Sequence, residues 1–209
     1  MKQGLKIFFT YLFMPIMLLI VFNGFYNNYK VLAEIIFYLL TLILFFILSR
    51  KEIWNDLKSF KNNFKKYLPT IFIWLCIGFG LMIVSNYIIG MFVDGLPSNE
   101  VNNRELLISN PLIMITYLLI IAPMLEEYVF RFGFKNIKNY YFFTFFTSLL
   151  FASLHILSIE KLIHHCFLIP YFCLSFGFSN IYYKTKNYWA AVIAHMIHNL
   201  LTIIIILVF

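Results

Sequence analysis

The chain has 209 residues, of which 62% are hydrophobic and 12% charged, against roughly 45–50% and 25% in a soluble domain. That excludes a water-soluble globule. A formal charge of +7 raises the question of an anionic partner such as nucleic acid, so the positions of the basic residues matter more than their sum.

At about 20 residues per span plus a connection, this length accommodates about seven spans and leaves no room for a separate soluble domain. Residues 1–209 therefore read as a single integral membrane domain, an all-α polytopic bundle of transmembrane helices. Apolar runs predict spans over 7–23, 31–49, 67–93, 111–134, 141–157, 162–183 and 188–209. The N-terminus is basic and then apolar, and no small-x-small cleavage site follows Asn23, so it reads as an uncleaved first span. Cys76, Cys166 and Cys173 lie in apolar stretches at no metal-like spacing. They are expected to be small buried hydrophobes rather than disulfides or ligands.

Alternating connections divide the charge. Lys2, Lys6, the six basic residues from Arg50 to Lys66, Arg131, Lys135, Lys138, Lys184 and Lys186 fall on one side, 13 in all, against Lys30, Arg104 and Lys161 on the other. The positive-inside rule then places the N-terminus in the cytoplasm of a multi-pass protein of the cell membrane. The net charge becomes an orientation signal and needs no nucleic acid. In the connection before span three, Ile53, Trp54, Leu57, Phe60 and Phe64 recur at helical spacing, which predicts a helix lying along the cytoplasmic headgroups. Residues 94–110 read as a linker.

An ionisable residue inside a span is costly and marks a functional site by default. Span four carries Glu126, Glu127 and Arg131; span five ends at His155; span seven carries His195, His198 and Asn199. Glu127 and Arg131 are four apart with the acid first, the favourable order for an intrahelical pair. Glu126 is turned by about 100° from Glu127, faces elsewhere, and is free to act as a general base toward water. His195 and Asn199, also four apart, present an imidazole and a carboxamide to a common point, and with His155 they supply donors for an oxyanion or a water. No serine or cysteine sits in a nucleophile motif beside a base. The bland readings are a structural Glu–Arg clamp and histidines that hydrogen-bond between helices. His164 and His165 sit at the outer end of span six, where interfacial location is sufficient, and His198 is at most a supporting residue.

Three motifs stand in order, Glu126-Glu127-x-x-x-Arg131, Phe151-x-x-x-His155 and His195-x-x-x-Asn199. On these residues the sequence resembles the CPBP family of intramembrane proteases, which includes the type II CAAX prenyl endopeptidases and the bacteriocin-processing and immunity proteins of the Abi group. The resemblance covers residues 111–201 as a catalytic core. It implies a helical membrane fold with a cavity between helices, and hydrolysis of a peptide bond in a membrane-associated, in some members lipidated, peptide or protein. Carried over, Glu126 activates water with help from His155, His195 and Asn199 form the oxyanion site, and Glu127 and Arg131 orient the first motif. Two histidines with a glutamate also suit zinc. The glutamate–water version, with no required cofactor or metal, is favoured because His-Glu-x-x-His is absent and the candidate ligands lie on three helices.

Two alternatives stand beside it: a non-catalytic membrane immunity or regulatory protein of the same family, and a proton-coupled transporter, for which the first three spans supply almost no polar path apart from Glu34. Straight-helix arithmetic puts Glu126 about 12 Å and His155 about 21 Å from the cytoplasmic ends of their spans, a mismatch of about 9 Å that a tilt or a kink at Pro123 has to absorb. The shallow depth of Glu126 favours catalysis facing the cytoplasm.

Overall fold

A computed structural model describes residues 1–21, 30–156 and 162–208, and among these no strand occurs. Lys161 and the predicted span ends at Asn23 and Leu157 lie outside the described residues. The helices are α1 (Lys2–Val21), α2 (Lys30–Leu48), α3 (Arg50–Gly90), α4 (Ser98–Ser109), α5 (Pro111–Thr116), α6 (Ala122–Phe130), α7 (Tyr140–His155), α8 (Leu168–Thr185) and α9 (Tyr188–Val208). A π-helical turn, Tyr117–Ile121, joins α5 to α6, and 3₁₀ turns cover Phe132–Phe134 and Leu162–Phe167.

Five helical segments among the described residues are long and apolar enough to cross a bilayer: Val31–Leu48, Arg50–Gly90, Pro111–Phe134, His164–Thr185 and Tyr188–Val208. The other two predicted spans are helical as well. α7, however, has 16 residues, about 24 Å, short of a hydrocarbon core of about 30 Å. Large apolar side chains such as Phe72, Ile83, Leu112, Tyr141 and Ile205 point outward, as they do where the surrounding solvent is lipid. The interior between α7 and α8 instead holds the small polar residues Thr144, Thr147, Ser148, Ser175 and Ser179, all buried, the pattern of helices that associate by close packing and hydrogen bonds rather than by the hydrophobic effect.

α8 is the central helix and packs against both α3 and α7, while α9 packs against α3 and α6. The α3–α8 crossing is set by two glycines. A Cβ on Gly177 would lie 2.6 Å from the Trp74 carbonyl oxygen, and one on Gly78 would lie 3.1 Å from Gly177 Cα. No larger residue fits that crossing without separating the helices.

The predicted interfacial helix and the third span form one element, α3, with a break at Asn63 (φ −114°, ψ 17°) and Pro69 six residues later. The break separates a polar half from an apolar half. Ile53 and Phe60 turn into the protein, whereas Trp54 and Phe64 remain exposed, so only part of the apolar stripe is left to face headgroups. The buried part tethers α9. Trp189 Nε1 donates to the Ile53 carbonyl at 3.0 Å, and the Tyr188 amide donates to Asp56 Oδ2 at 3.0 Å, which places a carboxylate at a helix N-terminus, where the dipole favours it. The cysteines are less buried than expected: Cys76 is exposed and Cys166 and Cys173 are half-buried, none of them in a disulfide.

Candidate active site

Motif one splits into two environments one residue apart. Glu127 and Arg131 are both fully buried, with Arg131 Nη1 donating to Glu127 Oε1 at 2.9 Å. The guanidinium also donates from Nη2 to the Ser175 carbonyl at 3.1 Å and Ser175 Oγ at 2.5 Å, and from Nε to Ser179 Oγ at 3.4 Å. Ser179 Oγ in turn meets Thr147 Oγ1 at 2.9 Å and Ser148 Oγ at 3.2 Å. The network ties α6, α7 and α8 together. The rings of Phe151 and Phe178 flank the cation at 5.0 and 5.6 Å. Such a charge is tolerable only because it is paired and its donors are satisfied.

Glu126 points the other way and keeps 13% of its side chain exposed. His195 lies between the two acids. Its Nδ1 is 2.9 Å from Glu127 Oε1, and its Nε2 is 3.8 Å from Glu126 Oε2, just beyond hydrogen-bond reach. A carboxylate oxygen only accepts, so Nδ1 is the donor and Nε2 is the nitrogen left for chemistry. Phe178 stacks on the ring at 4.5 Å and fixes its plane. Arg131 cancels the charge of Glu127.

His155 follows the same logic. Its Nδ1 donates to the Phe151 carbonyl at 2.9 Å, the ring stacks on Phe151 at 4.2 Å with Tyr171 at 4.8 Å, and Nε2 is left over. Phe151 of motif two thus holds the histidine through both its backbone and its ring.

Asn199 has a local cause for its position. In the π turn the Ala122 amide donates to the Tyr117 carbonyl, five residues back. The Leu118 carbonyl would then look to residue 123 for its donor, and Pro123 has none. Asn199 Nδ2 fills the gap, donating to Leu118 O at 2.7 Å. One amide hydrogen and Oδ1 are left uncommitted. A π turn at such a place is a common mark of a functional site.

A cavity of about 280 Å³ brings Glu126, His155, His195, His198 and Asn199 to one wall. Glu127 and Arg131 do not line it. Glu126 and His155 line the same cavity despite the mismatch that straight-helix arithmetic gives. His198, three residues from His195, is buried with Nδ1 lacking a partner among the described residues, and its ring meets Phe79 and Phe178 edge-on.

Several lining residues lie outside the motifs: Tyr11, Tyr38 and Tyr117 on one side, and Asn99, Glu100 and Asn103 of α4 on another. The predicted linker is therefore a helix at the cavity. Its signals in the sequence were Pro97-Ser98 as a helix start and the Glu100–Arg104 pair, an i,i+4 contact at 2.9 Å in the structure. His164 and His165 lie in the 3₁₀ turn and do not line the cavity. Among the described residues no three His, Cys, Asp or Glu side chains converge to hold a metal ion.

The family described as Type II CAAX prenyl endopeptidase Rce1-like matches residues 108–201, the stretch that contains all three motifs. The Putative membrane peptidase YdiL of Bacillus subtilis (strain 168) is 28% identical over 156 residues, which take in 70% of this chain and 61% of that protein. The chain thus spans less than two thirds of that relative's length. No solved structure matches the chain. The three motifs thus lie, in order, within the stretch of this chain that is similar to the type II CAAX prenyl endopeptidases.

Proposed function

We propose that this protein is an intramembrane endopeptidase that hydrolyses a peptide bond of a membrane-associated peptide or protein through a water activated by Glu126. The observation that carries this reading is the split of adjacent glutamates, one locked at zero exposure by Arg131 and the other on the cavity wall beside two imidazoles. Glu126 takes a proton from water as the oxygen attacks the scissile carbonyl. The resulting oxyanion is met by protonated His195 Nε2 and by the uncommitted amide hydrogen of Asn199. Glu127 acts as a positioning residue, holding His195 by Nδ1 so that Nε2 faces the reacting atoms. His155 Nε2 relays the proton from Glu126 to the leaving nitrogen as the carbon–nitrogen bond breaks, which returns both groups to their starting state. No step needs a covalent enzyme intermediate or a cofactor.

The test is Glu126→Gln, which keeps the shape and removes the base. Cleavage of membrane peptides by the purified protein is expected to fall by about 10²–10⁴-fold with the unfolding midpoint in detergent unchanged. Undiminished cleavage removes Glu126 from the chemistry. An equal loss of folded protein turns the motif into a structural clamp, as a non-catalytic regulatory protein requires.

A further inference from the structure

We infer that the catalytic cavity receives its substrate from the non-cytoplasmic face, through an opening bordered by α4, so that the bond cleaved belongs to an extended peptide segment displayed at the outer surface of the membrane. This rests on the protease reading above and adds the side of access and the class of substrate.

The argument comes from where on each helix the cavity residues sit. α9 begins at Tyr188, just after Lys184 and Lys186, and the lining runs away from that end, through His195, Asn199 and Thr202 to Ile206, the last about 27 Å along the helix. α7 begins after Lys138, and its contribution comes from its far end, Phe151, Leu154 and His155. α8 runs the opposite way toward Lys184 and contributes Tyr171 and Leu174 near its start. The fourth span contributes Tyr117 and Leu118 near its beginning and Ala122, Glu126 and Phe130 farther along, while Lys135 follows its end. In α7, α8 and α9 the cavity lies toward the end opposite the basic residues. Among the described residues, none from 50–66, 131–138 or 184–186 lines it.

The basic side is also closed. Behind Glu126 lie Glu127 and Arg131 at zero exposure, and then Phe132 and Phe134, both buried and outside the lining. The opposite side ends in α4, which presents Asn99, Glu100 and Asn103 to the cavity. Carboxamides that both donate and accept suit the backbone of an extended peptide. With 13 of 16 basic residues on the closed side, the positive-inside rule makes the open side non-cytoplasmic. The cytoplasm-facing expectation rested on the depth of Glu126 along a single helix; the full cavity runs outward from that depth.

The test uses the full chain in sealed vesicles of both orientations, with Cys76, Cys166 and Cys173 replaced by Ala. Single cysteines are placed at the opening (Asn103→Cys), inside the cavity (Thr202→Cys) and on the basic side (Lys58→Cys), and a small membrane-impermeant methanethiosulfonate is added outside. The expected result is labelling of Asn103→Cys and Thr202→Cys in right-side-out vesicles and of Lys58→Cys only in inverted ones. An internally quenched octapeptide library is expected to be cleaved at least tenfold faster by right-side-out than by inverted vesicles, and labelling Asn103→Cys is expected to abolish that difference. Labelling of the two cavity positions only in inverted vesicles, or faster cleavage there, overturns the inference. Cleavage in detergent that is indifferent to Glu126→Gln fails the protease reading instead, and the labelling pattern still decides the side of opening.

Discussion

Glu126 and Glu127 are neighbours in sequence, yet they belong to regions built on opposite principles. Around Glu127 every group is dry: Arg131 is shared among a carboxylate, two serines and a carbonyl, and three helices meet on it. Around Glu126 the groups are half-committed, with His155, His195 and Asn199 each anchored to the protein through one atom and leaving another toward the cavity. The difference teaches how a membrane protein holds a cavity-lining carboxylate beside a buried ion pair. The dry network fixes the helices, and the same glutamate that pairs with arginine also orients the histidine serving the wet side. The two regions are joined through a single imidazole.

The largest effect is expected from breaking the dry side. Arg131→Met strands Glu127 as a buried charge without its partner, and removing one member of a buried pair costs about 3–5 kcal/mol. The unfolding midpoint in mild detergent should collapse or the folded yield disappear, whereas Glu126→Gln should leave both intact. If the two variants lose stability equally, the distinction between scaffold and reactive acid is wrong.

On the wet side, Asn199→Ala tests whether the carboxamide serves chemistry or only the π turn. Removing an oxyanion donor costs about 10²–10³ in turnover, while leaving the Leu118 carbonyl unpaired costs about 1–3 kcal/mol in stability. Both losses are expected together. Stability loss with unchanged turnover would confine Asn199 to supporting the turn.

Much of the dry side was legible in the sequence because it obeys a local rule. The Glu127–Arg131 spacing of four and the 100° turn to Glu126 follow from helix geometry alone, and the placement of His195 and Asn199 on one face follows from the same arithmetic. What could not be read were contacts between helices. Nothing in the spacing says that His195 Nδ1 is bound to Glu127, or that Asn199 repairs a carbonyl orphaned by Pro123, although that proline hinted at a break. α4 was missed because its polar composition reads as a connection between spans, and its role depends on which helix ends it covers. The side of access is not legible from depth along one helix, because the cavity is lined by seven helices.

The smallest effect is expected at the cytoplasmic end of α9, and it asks which region sets the register of that helix. Asp56 caps the Tyr188 amide, and its own carbonyl accepts from Asn187 Nδ2 at 2.7 Å. Asp56→Asn removes the charge from the helix N-terminus but can keep an acceptor there, so the stability cost should be under about 1 kcal/mol. α9 is also held by Tyr188 Oη on the Met124 carbonyl at 2.6 Å and by His195 on Glu127 at 2.9 Å. Turnover should therefore change less than threefold. A fall of tenfold or more with an unmoved unfolding midpoint would mean that the polar half of α3, and not the buried ionic network, aims His195 and Asn199 at the cavity.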